Sequence, residues 1–227
     1  MKICTHPHPA TSAPDRARAP RLPYGDRMVL VPAARIERWV LNFNGRHGQT
    51  ALGVVDGALT GAASDGSTFV ARLPFEREYD GLPDVDAFRL ETMPPDQWGV
   101  LLVRKGGFAV ARLNGAELAE HKIGQRHVQG RTKAGGQSQQ RFARRRDNQA
   151  RQAFEAAADH AARILGSAEM LLVTGGDRAA VDEVLTDHRL GRVKVVAPWL
   201  AVPDPKRAVL DQAITDAQAI QVEVDNA

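Results

Sequence analysis

Cysteine is nearly absent from the sequence, which has a single one, Cys4, among 227 residues. One cysteine excludes a disulfide framework within the chain and suits a reducing compartment. The sequence also lacks a run of about eighteen apolar residues, the length that a membrane-spanning helix needs. Its opening residues lack the apolar centre of a secretory signal. From these absences we expect a soluble, cytoplasmic protein that does not enter a membrane.

Aromatic residues are scarce as well, at 5% of the chain, so the cores must consist mainly of Leu, Val, Ile and Ala. With 43% hydrophobic and 25% charged residues, the composition is otherwise that of an ordinary globular protein. A chain of this length can form one large domain or two modest ones, each with its own core.

Proline content and apolar runs divide the chain into four segments. Residues 1–25 contain five of the thirteen prolines and few large apolar side chains, so we expect a disordered tail. Residues 26–80 predict a small mixed α/β unit, and residues 81–96, rich in Pro and Asp, predict a linker. Residues 97–227 predict a second unit in which a hairpin is followed by alternating strands and helices. That order indicates an α/β (or α+β) fold with a mixed sheet.

Hydrophobic periodicity and turn residues place the elements inside both units. In the first unit we expect strands at 28–31, 51–55 and 67–73, a helix at 33–44, and tight turns at Asp56-Gly57 and Asp65-Gly66. In the second we expect strands at 98–103, 108–113, 117–124, 170–173, 193–197 and 220–224, and helices at 178–188, 205–217 and, after a loop, as far as Leu165.

The positive charge of the chain is concentrated in one stretch. Between Arg126 and Arg151 there are eight Lys or Arg residues and one acid, Asp147, a net charge of +7 where the whole chain carries +3. The stretch presents Gly135-Gly136-Gln137, and a long helix with Arg141, Arg144, Arg145 and Arg146 in its first turns is expected to follow. The N-terminus of a helix normally favours acids, so these arginines are costly there unless phosphates meet them. The stretch therefore indicates contact with a polyanion.

Gly-Gly-Gln alone is a weak signal, because three such residues also occur as an ordinary surface loop ahead of a helix. The longer run GRTKAGGQSQQRFARRR, residues 130–146, is specific. It closely resembles the catalytic loop and following helix of the eukaryotic and archaeal class-one peptide release factors, whose usual form is GRGGQSALRFARLR. Together with the hairpin WGVLLVRKGGFAVARLNG, it is more similar still to the bacterial branch of the Vms-like release factor (VLRF) family of ribosome-associated peptidyl-tRNA hydrolases. The resemblance covers about residues 97–199 and extends toward 224.

The resemblance implies a release-factor middle-domain-like mixed sheet and a hydrolase that cleaves the ester between a nascent peptide and the 3′ ribose of tRNA. It implies the large ribosomal subunit, with its 23S-type rRNA, and peptidyl-tRNA as partners, no cofactor, and a monomer off the ribosome. It assigns catalysis to Gly135, Gly136 and Gln137. RNA binding is expected from the basic residues around the loop, namely Arg131, Lys133, Arg141, Arg144, Arg145 and Arg146.

The chemistry of the residues agrees with this assignment. The amide of Gln137 has no useful pKa, so it cannot act as a general base, but it can orient a water molecule against the ester carbonyl. A backbone N–H of the loop can face the developing oxyanion. Gly135 and Gly136 permit positive φ angles and carry no side chain that would collide with packed RNA.

The chain departs from the family patterns in two respects. Many VLRF members carry a looser Gly-x-x-Gln, and Gly136-Gln137-Ser138-Gln139 also fits that pattern, so Gln139 stays the alternative to Gln137. The codon-reading motifs of true release factors are not visible in residues 1–95. We therefore expect rescue of stalled nascent chains rather than termination at stop codons.

Other polar residues admit a structural and a functional interpretation. The run 174–177 predicts either a phosphate-binding turn or a plain strand-to-helix turn with Asp177 as the N-cap, and the plain turn is favoured. His121 and His127 can contact RNA but more often lie on the exposed side of a strand. Neither these nor His6 and His8 predict a metal site. The three tryptophans, Trp39, Trp98 and Trp199, are expected in the cores.

Two other functions share some of these features. A non-catalytic ribosome- or RNA-binding module would have the same basic stretch without hydrolysis. A tRNA-directed nuclease would need two or three converging carboxylates around a metal, and Asp159, Asp177 and Asp187 do not show such a spacing.

Overall fold

The computed structural model describes residues 28–125, 151–152, 154–166 and 169–227. Its strands are β1 Met28–Val31, β2 Thr50–Val55, β3 Ala58–Ala63, β4 Thr68–Arg72, β5 Gln97–Arg104, β6 Gly107–Asn114, β7 Glu117–Gln125, β8 Met170–Gly176, β9 Val193–Leu200 and β10 Ile220–Asp225. Its helices are α1 Ile36–His47, α2 Val85–Leu90, α3, α4 Arg178–Leu185 and α5 Arg207–Ala217. Residues 151–152 and 154–165 belong to α3. Short 3-10 turns lie at Ala33–Arg35, Pro74–Glu76 and His188–Leu190. The predicted tail, residues 1–25, lies outside the described residues.

The described strands form two five-stranded sheets. The first sheet has the order β1-β10-β4-β3-β2 and is antiparallel throughout. The second has the order β7-β6-β5-β8-β9; β5, β6 and β7 are antiparallel, while β8 and β9 run parallel to β5. The mixed α/β class predicted from the sequence is therefore confirmed.

The last strand of the chain, β10, lies in the first sheet, between β1 and β4. The sequence had assigned this strand to the second unit, next to the elements that precede it. Its apolar residues Ile220 and Val222 are fully buried in the first core, among side chains of α1 and β4. The first unit is thus built from both ends of the described chain, with the second unit between them in sequence. The expected boundary between two domains stays a prediction.

Strand β3 was not predicted, because ALTGAA is made of small residues that were assigned to turns. Gly61 explains this composition: it lies against the ring of Phe69 on β4, where an added Cβ would collide with the ring. The predicted turn at Asp56-Gly57 is present, with φ angles of 48° and 70° that suit Asp-Gly in a two-residue hairpin turn. The predicted helix end at residue 44 was wrong, since α1 continues to His47 and ends at Gly48, whose φ is 90°.

The segment expected to be a linker, residues 81–96, contains helix α2. Asp84 caps this helix by accepting a hydrogen bond from the backbone N–H of Ala87 at 2.9 Å. Phe88 is fully buried in the first core and packs edge-on against Tyr79, with ring centroids 4.9 Å apart. The segment is therefore a packed part of the first unit.

The central strands of the second sheet, β5, β6 and β8, are covered on both faces. Helices α3 and α4 cover one face, over Leu101, Val103 and Leu172. Helix α5 covers the other, over Val100 and Leu102. Of the tryptophans, Trp98 is fully buried, while Trp39 and Trp199 are half-buried at the borders of the cores. Among the described helices, none has both the length and the apolar character to cross a membrane.

Candidate functional site

The residues that the sequence predicts to carry catalysis lie outside the described residues. These are Gly135, Gly136, Gln137 and its alternative Gln139, together with the predicted RNA contacts Arg131, Lys133, Arg141, Arg144, Arg145 and Arg146. Their assignment stays a prediction. The structure describes the elements on either side of this segment, β7 and α3.

The described part of helix α3 lies along β6 and β7 of the second sheet. Arg112 on β6 pairs with Glu120 on β7, and its Nε donates to the carbonyl of Ile164 on α3 at 3.1 Å. Phe108, earlier on β6, pairs with Gly124, and its ring lies 5.6 Å from that of His160. Helix α3 therefore runs in the direction of β6 and opposite to β7.

One end of the sheet is where β5, β7, β8 and β9 all finish, and we call it the carboxyl edge. The described part of the chain stops at Gln125 on this edge and resumes at Arg151 on α3. The predicted catalytic segment thus follows this edge in the chain and precedes the described part of α3.

A stripe of small residues holds α3 on the sheet. Ala157, Ala161 and Ile164 are buried, and Phe154 is half-buried against the same core, as the helical spacing predicts. Arg163 adds an ion pair to Glu120 on β7, with Nη1 and Oε1 2.5 Å apart. The described part of α3 is therefore fixed to the strand that leads into the catalytic segment.

A second ion cluster ties α3 to the chain after α4. The Nη2 of Arg189 lies 2.6 Å from an oxygen of Asp159 on α3 and 2.6 Å from an oxygen of Asp187. Hydrogen bonds from the side chain and the backbone N–H of Arg189 hold the pKa of Asp187 well below its usual range. The two carboxylates also raise the pKa of Arg189.

The carboxylates that a nuclease would need for a metal ion already have other partners within the protein. A guanidinium occupies the position between Asp159 and Asp187, and Asp177 caps α4 by accepting from the N–H of Ala179 at 3.1 Å. Across the ranges that the structure describes, no three His, Cys, Asp or Glu side chains are grouped so as to hold a metal ion.

The turn at residues 174–177 is the plain strand-to-helix turn that the sequence favours over a phosphate-binding turn. A Cβ on Gly175 would collide with the carbonyl oxygen of Leu200, and one on Gly176, whose φ is 102°, would collide with that of Val103. The N–H of Asp177 donates to Val103 O at 2.8 Å. Close backbone packing therefore accounts for both glycines.

The histidine expected on the exposed side of a strand is there. His121 is exposed on β7, and its Nε2 lies 3.1 Å from Nη1 of Arg207 on α5. It therefore faces the side of the sheet opposite to α3. His6, His8 and His127 lie outside the described residues.

The sequence did not single out the residue at the start of α4. Arg178 places its guanidinium carbon 4.3 Å from the ring centroid of Trp199, at the carboxyl edge. Arg104, at the end of β5, is committed to the neighbouring loop, with a 2.7 Å hydrogen bond to the carbonyl of Val202. A basic residue directly after an N-cap is unusual enough to have marked Arg178, but its stacking partner is 21 residues further along the chain.

A groove of about 330 Å³ lies in the first unit, beside α1 and the edge strand β1. Its walls are mainly apolar, from Val29, Trp39, Phe43 and Val224, with Arg46 and His47 at one end. It is formed by elements of the first sheet, so it is separate from the carboxyl edge.

Comparisons with known proteins give one family match and several weak structural likenesses. A family model described as the Actinobacteria/chloroflexi VLRF1 release factor matches residues 96–223, more than half of the chain. No curated protein matches the chain.

Among solved structures, the Vms1 mitochondrial localization core aligns at 12% identity with a TM-score of 0.36, over 83% of this chain and 80% of that one. An archaeal translation termination factor, aRF1, aligns at 12% identity with a TM-score of 0.29, over 84% of this chain and 65% of that one. Archaeoglobus fulgidus Pelota aligns at 10% identity with a TM-score of 0.24, over 83% and 62%. These likenesses are too weak to support a conclusion by themselves.

Proposed function

The chain belongs to the Actinobacteria/chloroflexi VLRF1 release factor family, and from this premise we propose that it is a peptidyl-tRNA hydrolase of ribosome rescue. It frees nascent peptides from stalled ribosomes or from large subunits. The observation that supports this most directly is the run of residues 130–146, with Gly-Gly-Gln followed by an arginine-rich stretch, in a chain of this family.

The frame around this run suits the proposed role. Strand β7 ends at the carboxyl edge, and α3 is fixed to β7 through Arg163 and Glu120, which lie toward the opposite end of the sheet. A segment that follows a paired strand and precedes a packed helix has a stiff base, so it can enter a narrow site without displacing the core. Because activity depends on geometry within about an ångström, a stiff base for the loop favours catalysis.

The proposed reaction is the addition of water to an ester. Gln137 orients a water whose oxygen attacks the peptidyl carbonyl, and a backbone N–H of the loop stabilises the oxyanion. The bond between the carbonyl carbon and the 3′ oxygen of tRNA then breaks. The peptide leaves as a carboxylate and the tRNA regains its 3′ hydroxyl, with the proton passing through the substrate ribose or rRNA rather than through Gln137.

The proposed partners are the rRNA of the large subunit and peptidyl-tRNA, which meet at the site where the nascent chain is held. Arg131, Lys133 and the four arginines after Gln137 supply phosphate contacts. The first unit docks the protein on the ribosome. Hydrolysis takes place in the cytoplasm, where these partners are. No cofactor takes part in the proposed reaction.

The proposal is tested with purified large subunits that carry peptidyl-tRNA. Wild-type protein is expected to yield free peptide and intact tRNA together. Gln137→Ala is expected to lower the rate of release by about a hundredfold or more, because a water-orienting group is lost, while co-sedimentation with the subunits survives. Gln139→Ala is the matched control and is expected to keep most of the activity.

Three outcomes would contradict the proposal. Release that is unchanged in Gln137→Ala but lost in Gln139→Ala moves the catalytic role to Gln139. Binding without release by the wild type indicates a non-catalytic ribosome-binding module. Cleaved tRNA, formed only when divalent ions are free of chelator, indicates a nuclease.

A further inference from the structure

Arg178 is held in a conformation that leaves its hydrogen-bond donors available. Its guanidinium lies over the face of the half-buried Trp199, at 4.3 Å from the ring centroid, and the residue is exposed. Trp199 in turn packs on the core that contains α3. Stacking uses the flat face of a guanidinium and leaves its in-plane N–H groups free, and it also orders the side chain before any ligand arrives.

The charge of Arg178 is not neutralised within the described part of the chain. Most arginines of the second unit have an acidic partner there: Arg104 with Asp204, Arg112 and Arg163 with Glu120, Arg151 with Glu155, Arg189 with Asp159 and Asp187, and Arg207 with Asp211. Arg178 has no acid within 4.0 Å in the described residues, and its neighbour across the edge, Lys105, has none either. A cation in the first turn of a helix is also disfavoured by the helix dipole. A bound anion from another molecule would neutralise the charge of Arg178 and offset its unfavourable interaction with the helix dipole.

Arg178 lies at the carboxyl edge, where β7 leads into the predicted catalytic segment. It follows Gly176 and Asp177, which pair with the end of β5 at Val103, and Lys105 is in the turn after that strand. Gln125, after which the segment of net charge +7 follows in the chain, lies at the same edge. Arg178 and Lys105 therefore add positive charge at the edge from which the basic segment continues along the chain.

We propose that Arg178, stacked on Trp199, is an RNA-phosphate contact that positions the catalytic segment on its substrate complex. This inference rests on the proposed function. The planar donors of Arg178 bind a phosphate of the nucleic acid beside the site, and Lys105 adds a second, less oriented charge. The phosphate belongs either to large-subunit rRNA or to the acceptor arm of the bound tRNA, which present the same chemistry.

The test compares Arg178→Ala with Arg178→Lys in the full-length protein. Affinity is measured by sedimentation or fluorescence against vacant large subunits, against subunits carrying peptidyl-tRNA, and against free tRNA, at several salt concentrations. Arg178→Ala is expected to weaken binding roughly three- to tenfold and to reduce the slope of log K against log salt by about 0.7–0.9, the loss of one phosphate contact. Arg178→Lys is expected to keep the salt dependence of binding but to lower the affinity. An ammonium group does not stack on an aromatic ring as a guanidinium does, and it cannot form the same bidentate hydrogen bonds.

Lys194→Ala is the matched control. Lys194 is exposed near the start of β9, at the opposite edge of the same sheet, and it carries the same charge. Its removal is expected to leave affinity within about twofold, since a single charge beyond a Debye length is screened. An equal loss in Lys194→Ala and Arg178→Ala would reduce the effect to net charge and overturn the inference.

The remaining outcomes separate the two sources of phosphate. Weaker binding to vacant large subunits assigns the contact to rRNA, and a loss confined to complexes that contain tRNA assigns it to tRNA. If Arg178→Ala has wild-type thermal stability and leaves both the affinity and the salt slope unchanged in every binding assay, the inference is overturned. Arg178 would then only shield the ring of Trp199 from solvent. Because these assays measure binding, they can fail or succeed independently of the hydrolysis test on Gln137.

Discussion

Gly175 and Gly176 show how a motif with a possible function can be required by packing. The sequence of these two glycines before an aspartate also suits a phosphate-binding turn. In the structure the backbone of Leu200 lies against Gly175 and the backbone of Val103 lies against Gly176. The packing of the fold therefore leaves no room for a side chain at either position. Arg178, whose guanidinium stacks on Trp199, lies outside the glycine pair.

Gly176→Ala is therefore expected to destabilise the protein. Its φ of 102° is unfavourable for any residue with a Cβ, and the new methyl group would press on a backbone oxygen that cannot move independently. Together these effects are expected to lower the free energy of unfolding by about 2–5 kcal/mol, measured by denaturant titration.

Gly45→Ala is the matched comparison. Gly45 lies within α1, is exposed, and has no atom within 4 Å of an added Cβ. Here alanine is expected to raise the free energy of unfolding by about 0.5–1 kcal/mol, because it favours the helix and restricts the unfolded chain. Equal effects at both positions would show that the collision at residue 176 is relieved by local movement.

At the scale of elements, α3 is the helix that the proposed function depends on, and ion clusters fix it on two sides. Arg163 joins it to β7, and Arg189 joins Asp159 on the helix to Asp187 in the chain that leads to β9. Exposed ion pairs contribute little individually, but a shared guanidinium with several short contacts is better ordered than a single pair.

The Asp187 cluster gives a pH-dependent contribution to stability. Because Arg189 lowers the pKa of the folded carboxyl, the carboxylate stabilises the fold at pH values above its unfolded pKa of about 3.9. That contribution is lost as the pH falls through the lower, folded pKa. Asp187→Asn is expected to destabilise the protein at pH 7, and its difference from wild type is expected to shrink below about pH 4.

Denaturant midpoints of both proteins between pH 7 and pH 3 measure this effect. Asp182→Asn, on the exposed side of α4, is the control for a lost charge, since no hydrogen bond or ion pair to Asp182 is found among the described residues. A difference between wild type and Asp187→Asn that stays constant with pH would mean that the carboxyl keeps an ordinary pKa.

The sequence predicted elements well where a periodic apolar pattern ended at a turn residue. The hairpin of β5 and β6 and the cap at Asp177 followed from local rules, because their signals are short-range. Strand β3 did not, because its small residues are explained only by Phe69 on the adjacent strand. The arginine contacts of α3 were also out of reach, since Arg163 and Glu120 are 43 residues apart. The catalytic residues themselves stay predictions from the motif.

At the scale of the whole molecule, the two sheets are joined by a side chain that crosses between their cores. Phe75 belongs to the connection after β4, yet it is 2% exposed and packs in the second core, its ring 4.9 Å from that of Trp98. The next residue, Glu76, accepts a hydrogen bond from the N–H of Ala197 at 2.9 Å. Both residues have positive φ angles, 63° and 55°, although neither is glycine.

Such φ angles cost roughly 1 kcal/mol or more for each residue, so the contacts that they allow must offset that cost. Burial of a phenylalanine is worth about 2–3 kcal/mol, and the hydrogen bond of Glu76 adds to it. With β10 returning to the first sheet after α5, the chain also crosses between the units a second time. We infer that the two sheets unfold together.

Phe75→Ala tests this coupling. The substitution is expected to lower the free energy of unfolding by about 3–5 kcal/mol, the usual effect of truncating a buried phenylalanine. It is also expected to split a single thermal transition into two, because the strained connection would lose its anchor in the second core. Calorimetry measures both effects, and Leu90→Ala, at a position 67% exposed, is expected to change the free energy by less than about 0.5 kcal/mol. One sharp transition in Phe75→Ala, with unchanged stability, would mean that β10 alone couples the two sheets.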